Sequence, residues 1–425
     1  MTFAILLVLL VCLLLTGMPV FAGLALFGAA VLMIAEPGAI NLGELIFGKL
    51  DTYLLVAIPL FTLMAQFMIR GRVVDHLFGT THTLTRHLPG GLGVATVIAC
   101  TIFAAISGSS VATALTIGSA AIPQMIRYGY SPRFALGVVG AGGTLGILIP
   151  PSGPMVLYGV ISDTSIGQLF MAGLVPGLML AAIFALWCMG YAWRRGQGRR
   201  EEWATLGEVA TALRRSVWAL SLPPLILGGM YAGVFTATEA AGVGALAALL
   251  IAVIVYRSLG WRDIWHSAVD AARTSSMLFL ILAAAAIFGH ALTKLRIPNE
   301  IVELVAHYDL SQTGFLIAVM LLIMLLGMFL ETISIILITT PVILPVLIAL
   351  KIDPVWYGIL LMINLELALI SPPVGMNLFT LKAVSHAPMG EIIRGVAPYF
   401  FLMVLGMALV MALPQIALFL PGTMF

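Results

Sequence analysis

Charge is scarce in this 425-residue chain: Asp, Glu, Lys and Arg make up 9% of it, against 61% hydrophobic residues. A soluble domain carries roughly 25% charged residues, so water is excluded as the solvent for most of this surface. The formal net charge of +2 is too small to argue for nucleic acid or an acidic partner. Cysteine is nearly absent. Cys12, Cys100 and Cys188 all lie in apolar stretches without disulfide or ligand spacing, which leaves them as small buried hydrophobes. His76, His82 and His87 share a segment read as a cytoplasmic loop, and their spacing fits no usual metal pattern. No Gly-Lys-Ser/Thr phosphate loop occurs, which excludes nucleotide-driven work from within this chain. The apolar run Ala4 to Leu15 lacks the basic flank of a secretory signal and is read as a first membrane helix.

What the chain does have is a succession of apolar runs long enough to cross a bilayer, punctuated by glycine and proline. The punctuation is written twice. At an offset of 222 residues Pro123 falls on Pro345, Pro132 on Pro354, Pro150-Pro151 on Pro372-Pro373, and Gly153 on Gly375. Gly173 then falls on Gly395 and Pro176 on Pro398. Two repeats follow, residues 1–200 and 215–425, joined by a polar linker, 201–214, placed in the cytoplasm.

Each repeat opens with two helices, 2–16 and 17–35 in the first and 216–234 and 237–256 in the second. A third spans 52–70 or 266–292. The next stretch, 92–127 or 313–350, breaks near its middle, at Ser107-Gly108-Ser109-Ser110 or near Phe329-Leu330-Glu331-Thr332. Each half is short for a full span, so each stretch reads as a re-entrant hairpin. A helix broken at Pro-Pro follows (133–160; 355–382), then a last span (168–192; 394–414). Five crossings per repeat is an odd number, which inverts the second repeat and puts both termini in the periplasm. Charge agrees. Of the 20 Lys and Arg, only Lys49, Lys294, Arg296 and Lys351 fall on the outer side. The expected fold is an all-α polytopic membrane protein of two inverted-topology repeats, of the elevator-type ion transporter kind.

Broken helices at membrane depth are tolerated only where protein or a wet cavity satisfies the freed backbone groups. The first tip, Ser107 to Thr113, offers hydroxyls, a glycine and frayed carbonyls, the oxygen ligands a hard cation takes. Its partner, Gly142 to Ser152, adds Thr144, Gly146 and Ser152, while Pro150 and Pro151 remove two N–H donors. The alternative use of these small residues is close helix packing. In the second repeat, Ser371 to Asn377 answers the first Pro-Pro motif, and Asn377 can both donate and accept. Glu331 and Glu366 are carboxylates at membrane depth, open to cation ligation, proton coupling or local capping. Glu239 follows Thr236 at a helix start, where capping explains it equally well.

The stretches Ser107–Thr113, Gly143–Gly159 and Ser371–Phe379, with Gly17-Met18-Pro19-Val20 and Thr236 to Ala240, resemble the large membrane subunit of tripartite ATP-independent periplasmic (TRAP) transporters. Near Thr113 the resemblance implies an acid in several members. It implies uptake of an organic acid, such as a C4-dicarboxylate or sialic acid, across the bacterial inner membrane on a sodium (Na+) gradient. It also implies a periplasmic substrate-binding protein and a small four-helix membrane subunit, expected here as a separate chain. The hairpins and broken helices would then move elevator-fashion against the remaining helices.

On this basis the expected cation ligands are Ser107, Gly108, Ser110, Thr113, Thr144, Gly146, Glu331, Thr332, Ser371 and Gly375. Ser109, Ser110, Ser152 and Asn377 are expected to meet the substrate. The nearest rival is a self-sufficient organic-anion permease of the same superfold. An intramembrane hydrolase using Ser109 or Ser110 lacks a partner base, and no enzyme activity is expected.

Overall fold

The structure is a computed structural model describing residues 9, 10, 12, 13, 16–35, 41–71, 73–198 and 201–424. The helix expected over 2–16 falls largely outside the described residues, as do Arg72 and the Arg199-Arg200 pair. Among the described residues every regular element is helical.

The first half runs α1 (Val20–Ala35), α2 (Leu42–Leu50), α3 (Ala57–Arg70), α4 (Val73–Thr85), α5 (Gly91–Ser107) and α6 (Ser110–Arg127). It continues with α7 (Pro132–Gly143), α8 (Leu145–Leu148), α9 (Gly153–Ser162) and α10 (Ile166–Arg195). The second half holds α11 (Leu206–Tyr231), α12 (Ala237–Leu250), α13 (Trp261–Lys294), α14 (Ile297–His307), α15 (Gln312–Gly327) and α16 (Thr332–Ala349). After these come α17 (Pro354–Leu369), α18 (Met376–Ser385), α19 (Met389–Ala412) and α20 (Gln415–Leu418).

The expected breaks are where the sequence puts them. The pairs α5–α6 and α15–α16 each turn at a short tip, and the helices that follow are each interrupted at a Pro-Pro pair. Both the Pro150-Pro151 and the Pro372-Pro373 bond are cis. Proline also starts the helices it precedes, with Pro132 and Pro354 in the first turns of α7 and α17. There it lacks only an N–H that would have no helical partner. Asp353 caps α17 by accepting from the Val355 and Trp356 N–H groups at 2.7 and 3.2 Å.

Burial places these elements at the centre. Every residue of α17 from Val355 to Leu369 is buried, and so are those of α7 from Phe134 to Gly143 and all of α8. A helix apolar on all sides belongs inside a protein. Seven helical stretches among the described residues are long and apolar enough to cross a membrane, α10, α13 and α19 among them. The hairpin arms α5 and α15, together with α17, are apolar but shorter.

Helix α7 crosses α19 backbone to backbone. A Cβ on Gly137 would lie 2.2 Å from the Gly395 oxygen. Gly137→Val therefore forces the helices apart, at a cost of about 1–3 kcal/mol for overpacking. A lowered melting temperature in detergent is the expected result, and an unchanged one would contradict this crossing.

Four short helices, α2, α4, α14 and α20, were not expected. His76 and His82 sit on α4, not in a loop. Its Thr-rich pattern hides a packed helix, because Thr80 bonds the buried Ser216 hydroxyl of α11 at 2.7 Å. Helix α11 also begins ahead of the expected 216. Thr205 and Glu208 form a capping box, with the Thr205 N–H donating to Glu208 at 2.8 Å. That N–H, and then Arg86 at 2.7 Å, hold the exposed Glu208 carboxyl below its ordinary range. Of the expected 201–214 linker, only residues 201–205 are left without a helix. Burial holds His82 below its ordinary value, against the pull of Glu201. Glu239 closes a second capping box with Thr236.

Candidate functional site

Both hairpin tips open onto one cavity of about 370 Å³, within the range of small-molecule sites, roughly 300–1,000 Å³. Ser107 to Ala112 of the first tip line it, with Ile147, Pro151, Gly153 and Pro154 from the first break. Glu331, Thr332 and Ile333 come from the second tip, while Leu369 and Met376 flank the second break. The remaining wall belongs to α3, through Ile58, Thr62 and Gln66, and to α13, through Thr274 and Met277.

Glycine lets the first tip sit on the first break. Gly108 adopts a left-handed φ of 60°, and a Cβ there would come within 2.4 Å of the Pro151 oxygen. A Cβ on Gly146 would lie 2.5 Å from the Ser109 carbonyl carbon and the Ser110 nitrogen. Within the tip, Ser109 caps α6 by accepting from the Ala112 N–H at 3.3 Å. Thr113 donates to the Ser109 oxygen at 2.8 Å, and its hydroxyl lies 3.1 Å from that of Ser107.

The sequence-predicted residues divide by position. Ser107, Gly108, Ser109, Ser110, Glu331 and Thr332 reach the cavity wall. Gly146 packs directly behind the first tip, and Thr113 is buried against it. Gly375, with φ of 51°, shapes the second break, where the Ser371 hydroxyl donates to the Leu367 oxygen at 2.6 Å. The Thr144 hydroxyl donates to Ala141 at 2.6 Å and lies 3.4 Å from the Met403 sulfur, so it is engaged by α7 and α19. Ser152 and Asn377 do not line the cavity. Both are fully buried, and among the described residues neither the Ser152 hydroxyl nor either amide atom of Asn377 has a protein partner. Buried polar atoms are rarely left so. The Glu331 Oε1 is a further buried atom without a partner among the described residues; the carboxylate stands at the N-cap of α16 and forms no side-chain cap.

The electrostatics of the wall are one-sided. Among the described residues Glu331 is its only charged side chain, with no Lys, Arg or His. Positive potential comes instead from backbone. Ser110, Gly153, Thr332 and Met376 all line the cavity, and each is the first residue of its helix, α6, α9, α16 or α18. Helix N-termini favour anions. The arrangement offers carboxylate and frayed carbonyl oxygens to a cation, and helix ends and hydroxyls to an anion.

Thr62, Gln66 and Thr274 escaped the sequence reading, although a lone Gln in the apolar run Ala57–Arg70 is a signal of the usual intramembrane kind. The place of Glu366 was also missed. It is fully buried, and its Oε1 accepts from the Ser110 hydroxyl and from the Ile147 N–H, the latter at 2.9 Å.

Residues 7–416 match the family described as tripartite ATP-independent periplasmic transporter, DctM component. The chain is 39% identical over 400 residues to the C4-dicarboxylate TRAP transporter large permease protein DctM of Pseudomonas aeruginosa, covering 94% of this chain and 93% of that one. It is 34% identical to the isethionate TRAP transporter permease protein DctMQ of Oleidesulfovibrio alaskensis, covering 96% of this chain but 65% of that protein. In fold it is similar to the solved YdaH transporter of Alcanivorax borkumensis, with a TM-score of 0.61 at 13% identity over 87% of this chain and 86% of that one.

Proposed function

The chain belongs to the DctM component family of tripartite ATP-independent periplasmic transporters, as a large permease subunit, and from that premise we propose that it carries an organic acid inward on a sodium gradient. It is a multi-pass membrane transport protein, not an enzyme. One observation supports the coupling: the cavity that would take the anion has Glu331 as its only charged side chain and no basic side chain among the described residues. An anion meeting that carboxylate alone is repelled, and in a site of low dielectric the repulsion is strong. A bound cation reverses the sign. Sodium ions held by the tip oxygens, Glu331 and the carbonyls of the two breaks would leave the helix N-termini to receive the substrate carboxylate.

The substrate class follows from the same balance. Relatives are named for a C4-dicarboxylate and for isethionate, a sulfonate, and both anions suit helix ends and hydroxyls. The unpartnered atoms of Ser152, Glu331 and Asn377 support ligation in and around the tips. In this reading α5–α9 and α15–α18 form the moving unit and α3 and α13 belong to the scaffold. The two halves have inverted orientation, and both termini face the periplasm. A periplasmic binding protein delivers the substrate, and a small membrane subunit joins the large one. That subunit is a separate chain in this reading; the longer DctMQ relative carries both designations in one protein.

Reconstitution tests this. Proteoliposomes holding the chain with its small subunit, supplied with loaded binding protein, should take up substrate only under an inward sodium gradient. Replacing sodium by choline should reduce the initial rate at least tenfold, about 1.4 kcal/mol of coupling. Omitting the binding protein should abolish uptake. Full uptake driven by a proton gradient alone would overturn the sodium reading.

A further inference from the structure

Glu366 lies on α17, which is buried from Val355 to Leu369. Its Oε1 receives two hydrogen bonds from the first half of the chain, one from the Ser110 hydroxyl at the hairpin tip and one from the Ile147 N–H beside the Pro150-Pro151 break. No Lys, Arg or His among the described residues forms an ion pair with it. Two residues earlier, Asn364 donates to the Met320 oxygen at 2.7 Å, on the first arm of the second hairpin. A spacing of two turns side chains to opposite sides of a helix. Thus α17 holds one hairpin by Glu366 and the other by Asn364.

The geometry points to Glu366 as a positioning residue: one acceptor oxygen, reached across from α17, sets the first tip against the first broken helix and thereby sets the cation affinity of that tip. The Ile147 N–H belongs to the short helix α8, whose neighbour Gly146 already touches the Ser109–Ser110 backbone. Glu366 ties both sides of that contact at a single atom, so losing it lets tip and break separate. The bridge requires an acceptor at the right reach. A glutamine amide oxygen supplies one at the same distance, whereas aspartate keeps the acid and falls a methylene short.

The inference rests on sodium binding at the first tip, and the experiment separates the two claims. Sodium half-saturation of uptake is measured in proteoliposomes for the unaltered chain, Glu366→Gln and Glu366→Asp, each normalised to folded protein. If uptake by the unaltered chain ignores sodium, the coupling reading itself fails. If that chain depends on sodium, Gln is expected to keep the half-saturation within about twofold. Asp is expected to raise it about tenfold, the effect of one hydrogen bond to a buried acceptor. Backbone exchange supplies a second readout: Asp, but not Gln, should speed deuterium uptake in a peptide covering residues 144–151. Two variants with the same half-saturation, or the reverse order, would overturn the assignment.

Discussion

Gly146→Ala is expected to stop uptake while leaving the chain folded in the membrane. The added Cβ would lie 2.5 Å from the Ser109 carbonyl carbon and from the Ser110 nitrogen. Both are backbone atoms at the tip, and neither can swing aside as a flexible side chain could. The tip must therefore lift from the break, at a cost of about 1–3 kcal/mol. Lifting it moves Ser109 and Ser110, which line the cavity, and stretches the hydrogen bond from Ser110 to Glu366. A change of 1.4 kcal/mol in the closed arrangement is already about tenfold in its population. The measurement is initial uptake rate per folded transporter, with folding followed by gel filtration. Gly190→Ala is the control, since a Cβ on Gly190 would meet nothing within 4 Å. Equal rates for Gly146→Ala and the unaltered chain would remove the tip–break contact from the transport cycle.

The features that were legible in the sequence are those decided locally. A proline pair restricts the backbone whatever surrounds it, and a glycine permits the left-handed turn of the first tip, so that tip and both Pro-Pro breaks stand where the sequence places them. Elements fixed by distant partners were not legible. Helix α4 reads as polar until the buried Thr80–Ser216 hydrogen bond, which joins it to α11, is seen. Glu366 reads as a stray carboxylate until α17 is placed against α6 and α8, more than 200 residues earlier in the chain.

The site shows the same division. Tip hydroxyls could be placed near the cavity because the tips are local turns. Which of them face it depends on packing, and Thr144, a reasonable cation ligand by sequence, turns out to serve α7 and α19. Gln66 and Thr274 reach the wall from helices with no break to mark them. The 222-residue offset relates one half to the other but leaves unstated which scaffold faces close the cavity.

Asn377→Leu should make the chain more stable and less active at once. Asn377 lies in the first turn of α18, fully buried, and neither amide atom finds a partner among the described residues. A buried polar group left unpaired costs about 1–3 kcal/mol. Leucine keeps the same number and branching of side-chain heavy atoms and leaves nothing unpaired, so the ligand-free protein gains stability. If the amide served packing, that gain would carry no penalty in function. If it faces a ligand in the transport cycle, leucine takes away an oxygen that no neighbour replaces. Sodium distinguishes the two roles, because a ligand that binds only the folded state raises its melting temperature with concentration. Asn377→Leu is therefore expected to melt higher than the unaltered chain without sodium, to gain less on adding it, and to transport at least about tenfold more slowly. A lower melting temperature with the full sodium response retained would show that Asn377 holds the second break together and touches no ligand.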